Sequence, residues 1–172
     1  MTQGDIRDEI FELIYSRRKV EEAILRLNHM IKSAPKNSRA IALKAYALNK
    51  LANANKDWKY SEQALDYAER SLLLNPEDDI ALTSKGWSLI DLGRPEEALK
   101  PLEHATRLSS RNEYAWYNLA WAQYLTESPT AAKESITKAL EINPGNPIIR
   151  RGREMMEKGE IPSQLKARHT KP

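Results

Sequence analysis

The 172 residues contain no cysteine, which removes disulfides, thiolate nucleophiles and cysteine-held zinc or iron-sulfur sites. Histidine is scarce too: His29, His104 and His169 are far apart, no His-x-x-x-His pair occurs, and no glycine-rich phosphate loop is present. A convergent set of titratable groups for catalysis is therefore not expected, and neither is a metal or a cofactor. Glycine numbers only 6 while alanine, leucine, glutamate and lysine are abundant, a mix that favours helix. No stretch alternates long enough for a sheet. No run approaches the ~20 apolar residues that cross a bilayer. The acidic start, Asp5 to Glu9, has no apolar core to serve as a secretory signal, so a cytoplasmic protein without membrane insertion is expected.

What is present is charge, unevenly spread. From Ile148 to Pro172 seven Lys or Arg stand against three Glu, whereas the preceding part carries twenty basic and twenty-one acidic side chains. A neutral body with a basic tail lacks the basic face of a nucleic-acid binder, so nucleic acid is an unlikely partner, reached at most by weak, salt-sensitive attraction.

Four alanines recur in similar settings, Ala23, Ala64, Ala98 and Ala132, separated by 41, 34 and 34 residues. Twelve residues after each stands Pro35, Pro76, Ser110 or Pro144, and twelve before the last two stand Gly86 and Ala120. With Ala45, these form a set of small positions that lets paired helices approach closely. Gly86 is expected to face Ala98, and Ala120 to face Ala132. Each proline ends a second helix, because it lacks an amide donor and disfavours helix in the residue before it. Ser110 in place of proline is expected to loosen one turn.

A period of 34 with small residues at two fixed points resembles the tetratricopeptide repeat over residues 4 to 146. The fourth copy matches best, with Trp116, Leu119, Ala120, Tyr124, Ala132, Ala139 and Pro144. The third follows with Leu82, Gly86, Leu92, Gly93, Ala98, Leu102 and Ala105. The resemblance implies an all-α, right-handed superhelical solenoid of four helix-turn-helix repeats with a C-terminal capping helix. Its divisions are 4–37 (divergent, with Phe11 at the small position), 38–78 (seven extra residues), 79–112, 113–146, a cap at 147–160 and a disordered basic tail at 161–172. The extra residues, near Leu51 to Trp58, are expected to lengthen helices, with Asp57 capping the next one. Trp58 and Tyr60 are expected to bury against the repeat's own outer face, with a secondary contact site as the alternative.

In that family the first helices line a concave side where partners lie. The residue after the small one reads Glu12, Tyr46, Trp87, Trp121 and Met155, and neighbouring inward positions add Thr83, Tyr114, Tyr117, Asn118, Tyr124 and Arg151. Two roles are open for these aromatics. They fill the space between adjacent helices, or they form a floor on which a peptide or helix rests. Some relatives grip the carboxylates of chaperone tails with Lys, Asn and Arg. Asn118 alone matches that set here, and Asp8, Glu12, Ala42, Tyr46, Thr83 and Trp87 stand at the other places, which disfavours such a ligand.

Acidic pairs at Glu21-Glu22, Asp78-Asp79 and Glu96-Glu97 sit at helix starts, where they complement the helix dipole and need no catalytic role. The expected function is a non-enzymatic adaptor for a protein or peptide partner. The alternative is a self-assembling scaffold in which the groove accepts a helix of another copy, oriented by acidic Asp5, Asp8, Glu9 and Glu12 at one end and basic Arg150, Arg151 and Arg153 at the other.

Overall fold

The computed structural model describes residues 9–10, 12–14 and 19–162, and among these the regular structure is entirely helical. Helical residues 9–10 and 12–14 form α1. Then follow α2 (Val20–Ser33), α3 (Ser38–Asn55), α4 (Lys59–Leu74), α5 (Asp79–Asp91), α6 (Pro95–Leu108), α7 (Glu113–Leu125), α8 (Pro129–Ile142) and α9 (Pro147–Glu157). Phe11, Asp5, Asp8 and most of the basic tail lie outside the described residues.

Helices α3, α5, α7 and α9 each start at a side-chain cap. Asn37 Oδ1 accepts from Ala40 N, Asp78 Oδ1 from Ile80 N and Ala81 N, Asn112 Oδ1 from Ala115 N, and Asn146 Oδ1 from Ile148 N and Ile149 N. Each oxygen satisfies donors that the first turn leaves without an intrahelical partner. The second helices start without such a bond: Lys19, Trp58, Arg94 and Ser128 make no side-chain cap. Asp57 nonetheless accepts from Lys59 N at 3.0 Å, one residue ahead of the formal cap.

The second helices end alike. Ala34, Ser109 and Asn143 share φ near −136° and ψ near 82°, and each donates to a carbonyl four residues back. The turn at Ser110 is thus no looser than its proline-bearing counterparts, because those backbone bonds do not involve the residue at that position and Trp116 Nε1 donates to Ser110 O at 3.0 Å.

Two compact units divide the chain at residues 84 and 85, within α5. In the first, Ala23, Ala45 and Ala64 have no exposed surface, and Ile10, Ile14, Leu27 and Ile41 fill the core around them. Asn49 Nδ2 donates to Ser84 O, Ser71 Oγ to Ser38 O, and Arg39 pairs with the buried Asp78. The extra residues of the second repeat lengthen α3 to 18 residues and α4 to 16. Trp58 does not bury: it is 54% exposed at the start of α4, because the lengthened tip carries it beyond the packed part of the pair.

In the second unit Ala98 and Ala120 have no exposed surface, and Ala132 has almost none. Gly86 is pressed against Leu102, one helical turn on from Ala98, where an added Cβ would lie 2.3 Å from Leu102 Cγ. The α9 helix closes the unit: Ile149 is buried against Ala120, Ile136 and Ala139, with Trp116, Tyr117, Leu140 and Met156 around them.

Candidate functional site

The α7 helix brings most of the aromatic side chains together. Tyr117, Trp121 and Tyr124 follow at four- and three-residue steps and so share one side of a helix. Trp121 meets Tyr117 at 6.4 Å and 84°, and Tyr124 at 5.7 Å and 90°, both edge to face, the geometry in which one ring's positive edge meets another's negative face. The α9 backbone rests on this pair: a Cβ on Gly152 would lie 2.6 Å from Tyr117 Cε2 and 3.4 Å from Trp121 Nε1.

These contacts sort the expected lining residues. Trp121 is 4% exposed and Asn118 5%, so both are buried in α7. Trp87, Tyr114, Tyr117, Tyr124 and Met155 are half-buried, and Arg151 is exposed. Tyr46 and Thr83 belong to the first unit and are buried, at 4% and 1% exposed. Lys50 Nζ lies 5.6 Å from the Tyr46 ring, and Thr83 Oγ1 donates to Asp79 O. The Tyr114 hydroxyl accepts from Asn146 Nδ2 at 3.3 Å, tying the start of α9 to α7.

Burial pushes the Tyr117 phenol above its ordinary pKa; Asp91 and Tyr114 add to the rise, while a hydrogen bond with Trp121 and the charge of Arg151 oppose it. The surroundings hold it neutral. What the patch offers is aromatic ring surface with a few polar atoms. Among the described residues no group of three or more acidic or histidine side chains could hold a metal. No described helix is long and apolar enough to cross a membrane.

A model described as a tetratricopeptide repeat matches residues 61–112 and 83–147, together half of the chain. The chain belongs to the tetratricopeptide-repeat family. No curated protein matches the sequence closely enough to count as a relative. Solved structures share the fold. MamA (41-end) from Desulfovibrio magneticus RS-1 is 20% identical, with a TM-score of 0.64 over 95% of this chain and 88% of that one. TTC0263, a thermophilic tetratricopeptide-repeat protein of Thermus thermophilus, is also 20% identical, with a TM-score of 0.65 over 84% and 80%. The Sgt2 tetratricopeptide-repeat domain of Aspergillus fumigatus is 25% identical, with a TM-score of 0.57 over 67% and 78%. Tetratricopeptide repeats are protein-binding scaffolds, and this chain carries that fold.

Sequence reasoning missed the asparagine and aspartate caps, although their spacing was available. Asn37, Asp78, Asn112 and Asn146 are 41, 34 and 34 residues apart, in phase with the alanines. It also missed Gly152, whose sequence context is ordinary and whose role depends on α9 folding back onto Tyr117.

Proposed function

We propose that the protein is a non-enzymatic cytoplasmic adaptor that holds a polypeptide against the aromatic patch of its second unit. The lining comes from Trp87, Tyr114, Tyr117 and Tyr124, over a base of Asn118 and Trp121, with Arg151 and Met155 of α9 at the edge. Tyr46 and Thr83 are left out of this lining because both are buried in the first unit.

The observation that carries the proposal is the edge-to-face series on α7. Tyr117 and Tyr124 stay half-buried on either side of a buried Trp121, so ring surface is held rigidly and still meets solvent. Aromatic rings presented in this way act as anchors in protein interfaces, since they contribute large contact area at small conformational cost. The test is a comparative capture from cell extract with the intact protein and a Trp87→Ala/Tyr124→Ala variant. Neither residue is fully buried, and circular dichroism and the melting temperature show whether the variant keeps its fold. Partners lost from the variant alone support the proposal; an unchanged set of partners rejects it.

A further inference from the structure

The turn between α6 and α7 holds Ser110 where the other three turns hold Pro35, Pro76 and Pro144. The backbone there has no need of serine, since its bonds run as in the proline-bearing turns. Ser110 is exposed, and its carbonyl is the group engaged, accepting from Trp116 Nε1. The hydroxyl is left to solvent, with no partner among the described residues. Two guanidiniums flank it. Arg107 stands three residues before and Arg111 one after; both are exposed, and neither meets a carboxylate among the described residues. The carboxylates close by in sequence are Glu103, exposed on α6, and the half-buried Glu113, which accepts from Asn143 Nδ2 at 3.3 Å. Two cations beside a solvated hydroxyl, without counter-charge, form a setting that an added phosphate completes.

We propose that Ser110 is a phosphorylation site, the acceptor for a protein kinase that reads arginine three residues ahead of its serine. In the reaction Ser110 Oγ forms a bond to the γ-phosphorus of a nucleoside triphosphate. The bond from that phosphorus to the bridging oxygen breaks, the diphosphate leaves with the electron pair, and the hydroxyl proton passes to the kinase's base. Specificity lies in the sequence: of all the arginines in the 172 residues, only Arg107 has a serine or threonine three positions on. Access lies in the fold. Arg107, Leu108, Ser110 and Arg111 are exposed and Ser109 is half-buried. Helix ends fray, so the last turn of α6 can enter a kinase cleft without uncovering the core, whose nearest members are Ala105 and Thr106. The product carries close to two negative charges and three acceptor oxygens, which Arg107 and Arg111 take in charge-assisted bonds. Those bonds tie the end of α6 to its turn through side chains, a link that proline in the other turns cannot form. Nothing in this site depends on the aromatic patch binding a polypeptide.

The test incubates the folded full chain with magnesium ATP and calmodulin-dependent protein kinase, which selects arginine at that spacing, beside a peptide of residues 104–113. Mass spectrometry locates the phosphate, and phosphorus-31 NMR follows its ionisation. Both substrates are expected to take phosphate on Ser110 alone, and Arg107→Ala to slow the reaction about tenfold or more, the worth of a charge-assisted contact. Ser110→Pro, which gives the turn the residue of its counterparts, is expected to take none. In the folded product the second ionisation is expected below the ordinary phosphoserine value of about 6, because the guanidiniums favour the dianion. Arg111→Ala is expected to move it back towards that value. The proposal is overturned if the peptide is not modified, if the peptide takes phosphate and the folded chain does not, or if Ser109 or another residue is modified equally well. An ionisation that Arg111→Ala leaves unmoved overturns the arginine clamp.

Discussion

Gly86 and alanine differ by one methyl group, and the space for it is already taken. Its Cβ would lie 2.3, 2.6 and 2.8 Å from three carbons of Leu102, a side chain with no exposed surface and so little freedom to retreat. Gly86→Ala is expected to destabilise the fold by about 1–3 kcal/mol, read from urea unfolding, and shortening Leu102 to valine in the same chain should recover part of the loss. The need for a small residue here was legible from the 34-residue period, but its opponent was not. Spacing gives the position along a helix, whereas the crossing of two helices sets how closely the Leu102 side chain approaches it. Tyr117 allows a test by pH. Burial raises its folded-state pKa above the ordinary 10.0, so the unfolded chain loses the proton first. The contribution is complete below that value and is lost as pH rises from it through the raised folded value. Tyr117→Phe should therefore lose less stability than the parent protein across alkaline pH, measured by unfolding at a series of pH values.

Among the elements, the turns after α2, α4, α6 and α8 carry the clearest prediction. Their backbone bonds run in the same pattern, from Ala34, Asn75, Ser109 and Asn143 back to the helix, and from Asn37, Asp78, Asn112 and Asn146 back into the turn. None of these bonds uses the N–H of the residue that is proline in three turns and Ser110 in the other. Ser110→Pro should stabilise the protein by about 0.4–1 kcal/mol by restricting the unfolded chain, seen as a higher thermal midpoint. The Trp116 bond to the Ser110 carbonyl survives the change, since proline keeps its C=O. Helix lengths were also legible, including the longer pair α3 and α4, because the inserted residues suit helix. The exposure of individual rings was not. Trp87 and Trp121 hold the same register one repeat apart, yet Trp121 is buried and Trp87 is half-buried. Part of that difference comes from Gly152 of α9, which closes on Trp121, a contact that no periodicity within α7 encodes.

For the whole molecule, the two units differ in what they offer a partner. The first buries Tyr46 and Thr83 and presents Trp58 on a lengthened tip, whereas the second carries four half-buried rings, Trp87, Tyr114, Tyr117 and Tyr124. Association driven by ring burial should depend weakly on salt, and its charged part should come from the edge, where Arg151 stands. The most direct measurement is calorimetric titration of a captured partner into the intact protein and into the Trp87→Ala/Tyr124→Ala variant, both shown to be folded. A loss of affinity of about tenfold or more is predicted, the effect of removing anchors each worth more than about 1 kcal/mol. Equal affinity for the two proteins would contradict the assignment of binding to this patch.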